Sequence, residues 1–320
     1  MSDSQEGRLK ARVRQLVPWA IGVALIAVMA TRVPLAAFRA SLGHGPHLAL
    51  ALTNLGIGLG VLISDSIASW VGLIATRLRR SFREVLVARG ATYLLVVLNY
   101  AVGQGGFGYY LYRTGVAPLR ATGVALFLLG TNFATLVVIT TIAVAVHGPG
   151  ASGDAMWWTL LGCCAAYALY LGVVIVSPGI FVRRQLLSPL FDAGLRGHVL
   201  AMIGRLPHFA VIVLGMWAAM RVWGIAVPFG VGLTTVPIVA IASTLPISPS
   251  GLGTTQAALV YFFSNYATGA TPDDRSAAVL AFALVHFVYG LVASLGVGLV
   301  CAQRARRSAA LSPLPPTPPE

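Results

Sequence analysis

Apolar residues in this chain come in long runs rather than amphipathic stripes, and short arginine clusters separate the runs. A helix needs about 20 apolar residues to cross a hydrocarbon layer of ~30 Å. On that rule the pattern predicts full spans near 16–34, 48–76, 119–146, 155–182, 198–222 and 277–301. Two further apolar regions, 85–116 and 225–268, do not fit one crossing each. Both are long enough for two short crossings or one re-entrant hairpin, and both are interrupted by glycine. The expected fold class is an all-α polytopic membrane protein with six full spans plus two hairpins, or up to ten crossings.

The two interruptions resemble one another. The first is NYAVGQGGFGYYL, Asn99 to Leu111, and the second is TLPISPSGLGTTQAAL, Thr244 to Leu259. Aligned on Gly106-Phe107-Gly108 and Gly251-Leu252-Gly253, each reads small-Gly-apolar-Gly and then two hydroxyl-bearing residues, Tyr109-Tyr110 or Thr254-Thr255. Interrupted apolar segments at corresponding positions of two halves point to a transporter binding site. Gly103, Gly105, Gly106 and Gly108 are expected to open the helix, and Pro246 and Pro249 to do so in the second copy. A half-helix starting after such a break offers free N–H groups to an anion such as a phosphate. Candidate substrate-binding residues are therefore Gln104, Gly105, Gly106 and Gly108, with Ser248, Ser250, Gly251, Gly253, Thr254 and Gln256. The alternative is that the glycines only permit close helix packing, the role expected of Gly56, Gly58 and Gly60.

Charge placement then sets the topology. Arg8, Lys10, Arg12 and Arg14 precede the first span; Arg77, Arg79, Arg80 and Arg83 follow the second; Arg183, Arg184 and Arg196 lie between the fourth and fifth; Arg304, Arg306 and Arg307 close the last. By the positive-inside tendency all four clusters are cytoplasmic, with both termini. The segment 147–154 has no Lys or Arg and belongs outside. These placements agree only if hairpin 85–116 starts and ends inside while 225–268 starts and ends outside. The expected organisation is a basic N-terminus 1–15, a first half 16–146, an outer loop 147–154, a second half 155–301 of inverted topology, and a basic then Pro-rich tail 302–320. Residues 35–47, LAAFRASLGHGPH, are expected to be an outer loop rather than an interfacial helix, given their Gly and Pro.

Composition narrows the function classes. Of 320 residues, 57% are hydrophobic and 10% charged, and the mean hydropathy is +0.83, which excludes a soluble domain. The net charge of +13 is carried by the clusters between spans, so nucleic acid is not the expected partner. All but one of the 22 basic residues are arginine, and a bacterial inner membrane is the expected location. The chain shows no GxSxG, HExxH, phosphate-binding P-loop or paired carboxylates, so neither an enzyme nor a cofactor is expected. Cys163, Cys164 and Cys301 sit in apolar runs without metal-ligand spacing.

A few polar residues interrupt the spans themselves. Asp65, in LISDSIASW, is the one acid inside the full spans, and a charge at mid-bilayer costs roughly 2.5–3.5 kcal/mol unless it faces a cavity or a partner. It reads as a proton carrier or the partner of an inward arginine, or else as a group bonded to Ser64 or Ser66 that locks the bundle. His286, in LAFALVHFVYGLV, reads as a second relay candidate or as a bonded core residue. Arg205 lies inside the fifth span beside Pro207 and His208. Arg89, Arg113 and Arg120 bracket the first hairpin, and Arg221 and Arg275 flank the second. Arginines bind phosphate bidentately, so Arg113 and Arg205 join the substrate-binding candidates, although snorkelling to lipid head groups is the plainer role for any one mouth arginine.

LPISPSGLGTTQAALVYFFSNYATGA, Leu245 to Ala270, resembles the Pro-Gly-Gly-Leu-Gly signature near the C-terminus of the lysylphosphatidylglycerol synthase transmembrane-region family, the flippase-like integral membrane proteins. NYAVGQGGFGYYLYRTGVAPLRATGVALF resembles that family's other signature, a broken helix followed by an Arg and a new span. The resemblance implies movement of an anionic, aminoacylated or polyisoprenyl membrane lipid between leaflets, or service to a lipid-modifying or glycosyltransferase enzyme as a non-catalytic subunit. Family members commonly carry a Glu where Gln256 stands and an Arg near the position of His286, so the charge chemistry departs from the family pattern. A cysteine-accessibility map across 85–116 and 225–268 tests the topology. Positions at the ends of the first region should label only from the cytoplasmic side and those of the second only from outside.

Overall fold

The computed structural model describes residues 23–29, 31, 33–98, 100–148, 153–244 and 251–310. Among them there is no strand; the elements are α1 (Leu35–His44), α2 (His47–Ala75), α3 (Phe82–Val96), α4 (Tyr100–Arg113), α5 (Pro118–His147), α6 (Gly153–Val176), α7 (Gly179–Val182), α8 (Ser188–Val222), α9 (Phe229–Thr244), α10 (Thr254–Phe263) and α11 (Pro272–Ala310). Five of these, α2, α5, α6, α8 and α11, are long and apolar enough to cross a membrane. The chain is an all-α polytopic membrane protein. Of the expected first span, 16–34, residues 23–29 are helical and most of the rest lies outside the described residues, as does the Pro-rich end.

Helix limits follow local chemistry. Ser81 and Glu84 close a reciprocal capping box, Ser81 Oγ accepting from Glu84 N at 3.3 Å and Glu84 Oε2 from Ser81 N at 3.1 Å, which starts α3 directly after Arg80. Thr271 and Asp274 do the same before α11, at 3.1 Å in both directions. Residues 35–44 are helical rather than a loop: Leu and Ala dominate the segment, and its Gly-Pro pair lies beyond the last turn. The expected span 155–182 stops at Val176, because Ser177 takes φ +48° before Pro178, and a residue preceding proline is driven from the helical region. Helix α8 begins ten residues before the expected span and kinks at Gly194, where φ is +56°.

The centre of the bundle is the α2–α8 pair. Gly215 faces Ile57, Val211 faces Gly60, Gly204 faces Val71 and Gly197 faces Ala75, so the two helices run antiparallel and stay in contact along almost a whole span. Gly60 of α2 and Gly197, Gly204 and Gly215 of α8 let the backbones approach closely. Helix α5 lies parallel to α8, pairing Gly123 with Pro189 and Phe127 with His198; α11 lies parallel to α2, pairing Asn54 with Gly290 and Gly58 with Ala293.

The two hairpins enter this frame at opposite ends. Helix α3 starts beside the C-terminal end of α2 and runs antiparallel to α11, with Gly90 against Cys301 and Leu94 against Gly298. Helix α9 starts beside the C-terminal end of α5, where Gly230 meets His147. Each hairpin returns to the end it came from: Arg80 Nη2 donates to the Thr114 carbonyl at 2.9 Å, and Ala226 N donates to the Tyr266 carbonyl at 2.9 Å. With 15 and 14 residues, α3 and α4 are roughly 22 Å long, short of a ~30 Å hydrocarbon layer. Exchanging α2, α3, α4 and α5 for α8, α9, α10 and α11 maps the main pairings onto one another: α2–α3 onto α8–α9, α3–α4 onto α9–α10, α4–α5 onto α10–α11, α3–α11 onto α9–α5 and α5–α8 onto α11–α2.

A side chain forced into the α2–α8 seam should cost what overpacking costs elsewhere, about 1–3 kcal/mol. Gly215→Leu, which drives a side chain into Ile57, should lower the thermal unfolding temperature in detergent, while Gly162→Leu, at a position with open space around it, should not.

Candidate functional site

Three charged side chains from three helices meet in the interior. Asp65 on α2 is placed by a buried stripe, Leu62, Asp65, Ser66, Ser69 and Leu73, at helical spacing. Arg89 lies on the buried face of α3 with Val85, Ala88, Thr92 and Tyr93. Arg205 lies on α8, fully buried. Asp65 Oδ2 accepts from Arg89 Nε at 2.8 Å and Nη2 at 2.6 Å, and Asp65 Oδ1 accepts from Arg205 Nη1 at 2.9 Å.

The surrounding contacts serve the two guanidinium groups. Arg89 Nη1 donates to Gln104 Oε1 on α4 at 3.1 Å, and its Cζ sits 5.1 Å from the Phe107 ring centroid. Arg205 Nη2 donates to the Leu128 carbonyl of α5 at 3.3 Å, while its Nε is buried without a partner. His208, one turn beyond Arg205, is buried with Nδ1 unpartnered. One carboxylate between two guanidiniums leaves a formal charge of +1 in the cluster. Asp65 is ten residues from the C-terminal end of α2, roughly 15 Å below the arginine-rich end of the bundle.

Three of the candidate residues, Asp65, Gln104 and Arg205, are therefore brought together. Asp65 is the partner of inward arginines; Ser64 and Ser66 bond instead to the carbonyls of Gly60 and Leu62. Arg89, read from sequence as a residue at the hairpin mouth, is 2% exposed and belongs to the cluster. Its sequence signal was the distance from the Ser81 cap, two helical turns into an apolar run. Arg113 is exposed at the end of α4, and Arg120 pairs with Asp192 at 3.3 Å. His286 stacks on Phe282, centroids 5.4 Å apart, with Nδ1 unpartnered, and no hydrogen bond joins it to the cluster.

The glycine phrases differ in structure. Helix α4 runs unbroken through Gly103, Gly105, Gly106 and Gly108, so the expected opening does not occur. Gly103 and Gly106 seat against Val96 and Leu95 of α3 and Gly108 against Ala121 and Ala125 of α5, while Gly105 is exposed with nothing near it. Close packing is the role of Gly103 and Gly106, because the opposing Val96 and Leu95 side chains fill the space a Cβ would need. In the second copy the break is real: Gly251 and Gly253 take φ +72° and +84°, values that favour glycine. Gln256 Oε1 accepts from Gly253 N at 2.6 Å and caps α10, with Nε2 buried and unpartnered; Thr254 Oγ1 donates to the Gly251 carbonyl at 3.0 Å. Ser248 and Ser250 lie outside the described residues. The two hairpins pack mainly on α5 and α11 rather than on each other.

No family model and no curated protein matches the chain.

Removing one member of a buried ionic cluster leaves the others uncompensated, at a cost of about 3–5 kcal/mol, whereas replacing all members with apolar groups is often neutral or stabilising. Asp65→Asn should thus sharply reduce thermal stability in detergent. The triple variant Asp65→Leu/Arg89→Leu/Arg205→Met should recover most of that loss.

Proposed function

We propose that the chain is a flippase-like transporter that moves an anionic membrane lipid between leaflets. The observation that carries this reading is the Asp65–Arg89–Arg205 cluster, two guanidiniums for one carboxylate at mid-depth. Burying an excess cation in an apolar bundle is costly unless an anion visits it. Guanidinium groups bind phosphate bidentately, so a lipid phosphate is the fitting visitor. Asp65 would act as the resident counter-ion: it yields the arginines when the phosphate arrives and reclaims them when it leaves. The resemblance of residues 245–270 to flippase-like membrane proteins supports the same reading.

In this proposal the anion site lies at the arginines, since α4 is unbroken and offers no helix start at its glycines. The cluster is shut in, with Asp65 and Arg89 side chains only 6% and 3% exposed, so access requires a hairpin to move. Hairpin α3–α4 carries Arg89 and Gln104, and its displacement would open the cluster from the arginine-rich end. The exchangeable helix pairings and the opposite attachment of the two hairpins support two inverted-topology halves, in which rocking one half against the other alternates access. The positive-inside tendency places the arginine-rich end, with both termini, on the cytoplasmic side of a bacterial inner membrane.

The test is translocation of labelled phosphatidylglycerol in liposomes containing the purified chain. Wild-type protein should move it faster than a zwitterionic lipid, and the triple variant Asp65→Leu/Arg89→Leu/Arg205→Met should lose at least tenfold in rate while staying folded. Wild-type rates in the folded triple variant would make the cluster structural and end this reading.

A further inference from the structure

A cavity of about 320 Å³ lies where α5, α6 and α8 meet, lined by Phe127, Thr131 and Ala134 of α5, Tyr167 and Tyr170 of α6 and His198 of α8, among others. No Asp, Glu, Lys or Arg lines it, and none of the ion-cluster residues does. Its size falls in the range of small-molecule sites. The cavity lies under a loosely seated helix: α6 buries only Leu160 and Val174 along its 24 residues and exposes most of its surface.

Cys163 and Cys164 line the cavity as weak thiol donors, and among its oxygen and nitrogen donors all but one have a partner. The Gly194 carbonyl can only accept, so His198 Nδ1 donates to it at 2.7 Å, which leaves His198 Nε2 to accept from the Tyr170 hydroxyl at 2.8 Å. Thr131 Oγ1 donates to the carbonyls of Phe127 and Leu128. The Tyr167 hydroxyl remains, buried and without a partner. It is nine residues above the end of α6, roughly 14 Å into the bundle. Leaving a buried donor unmade costs about 1–3 kcal/mol.

We infer that the cavity binds a neutral lipid bearing a carbonyl oxygen, which accepts from the Tyr167 hydroxyl while its hydrocarbon part lies along α5. Neutrality follows from the uncharged walls. An acceptor oxygen follows from the unpartnered Tyr167 hydroxyl, and the flat aromatic faces of Phe127, Tyr167 and Tyr170 favour a planar carbonyl over an ether or alcohol. A quinone ring and an acyl ester share this chemistry. The site is independent of lipid translocation: a chain that fails every flipping assay should still bind.

Native mass spectrometry of the delipidated full chain in detergent tests the inference, with decylubiquinone in one arm and dioleoylglycerol in the other. One equivalent of at least one probe should bind saturably, and the arm that succeeds names the source of the carbonyl. Tyr167→Phe, which keeps shape and removes the donor, should weaken that binding about tenfold with unchanged thermal unfolding. Ala134→Phe, which fills the cavity, should abolish it. Absence of saturable binding in both arms, or wild-type affinity in Tyr167→Phe, overturns the site; Tyr167→Phe decides alone should Ala134→Phe fail to fold.

Discussion

A carboxylate held between two guanidinium groups in an apolar bundle constrains everything near it. Asp65 comes from α2, Arg89 from α3 and Arg205 from α8, and Gln104 of α4 and the Leu128 carbonyl of α5 accept further guanidinium hydrogen bonds. Five helices are thereby fixed in register around one point. Charges at this depth tolerate no slack, because each unpaired group in an apolar interior costs several kcal/mol and no solvent stands ready to replace a lost partner. The cluster therefore locks the bundle. Its surplus positive charge is the feature on which the proposed anion site rests.

Glycine supplies the complementary constraint, distance. The α2–α8 seam, the α3–α4 hairpin and the α3–α11 contact each seat a glycine under an opposing side chain. In a membrane, where apolar side chains gain little by leaving lipid for protein, such close approach carries much of the association. It also brings Asp65 and Arg205 within hydrogen-bonding distance across the seam. The first glycine phrase belongs to this packing system. The second, with positive φ at Gly251 and Gly253, shapes a chain break, so two phrases of one pattern serve different ends.

The apolar cavity under α6 follows from the same economy of contact. Where α6 lies over the closely packed α5–α8 pair, the side chains of Phe127, Tyr167, Tyr170 and His198 border a cavity instead of a closed seam. His198 links the Tyr170 hydroxyl to the Gly194 carbonyl there, while the Tyr167 hydroxyl is left without a partner. A tightly bonded centre thus sits beside a more accommodating flank.

Hydropathy alone determined the helical class, the positions of the five long spans and the two interrupted regions, because the requirement to cover an apolar layer is written in consecutive residues. Charge placement along the chain anticipated hairpins that each return to their starting end, since topology depends on where basic residues fall between spans. Local chemistry set helix limits that hydropathy misjudged: the segment 35–44 and the stop before Pro178 turn on proline positions. Only the tertiary structure decided that Arg89 turns inward to Asp65 rather than outward to lipid, and that Gly103 to Gly108 stay helical. Both outcomes depend on partners 24 or more residues away or on a neighbouring helix, on Asp65 for the arginine and on Val96, Leu95, Ala121 and Ala125 for the glycines. A run of residues states what each side chain tolerates, but pairing energy and steric room exist only once another helix stands opposite.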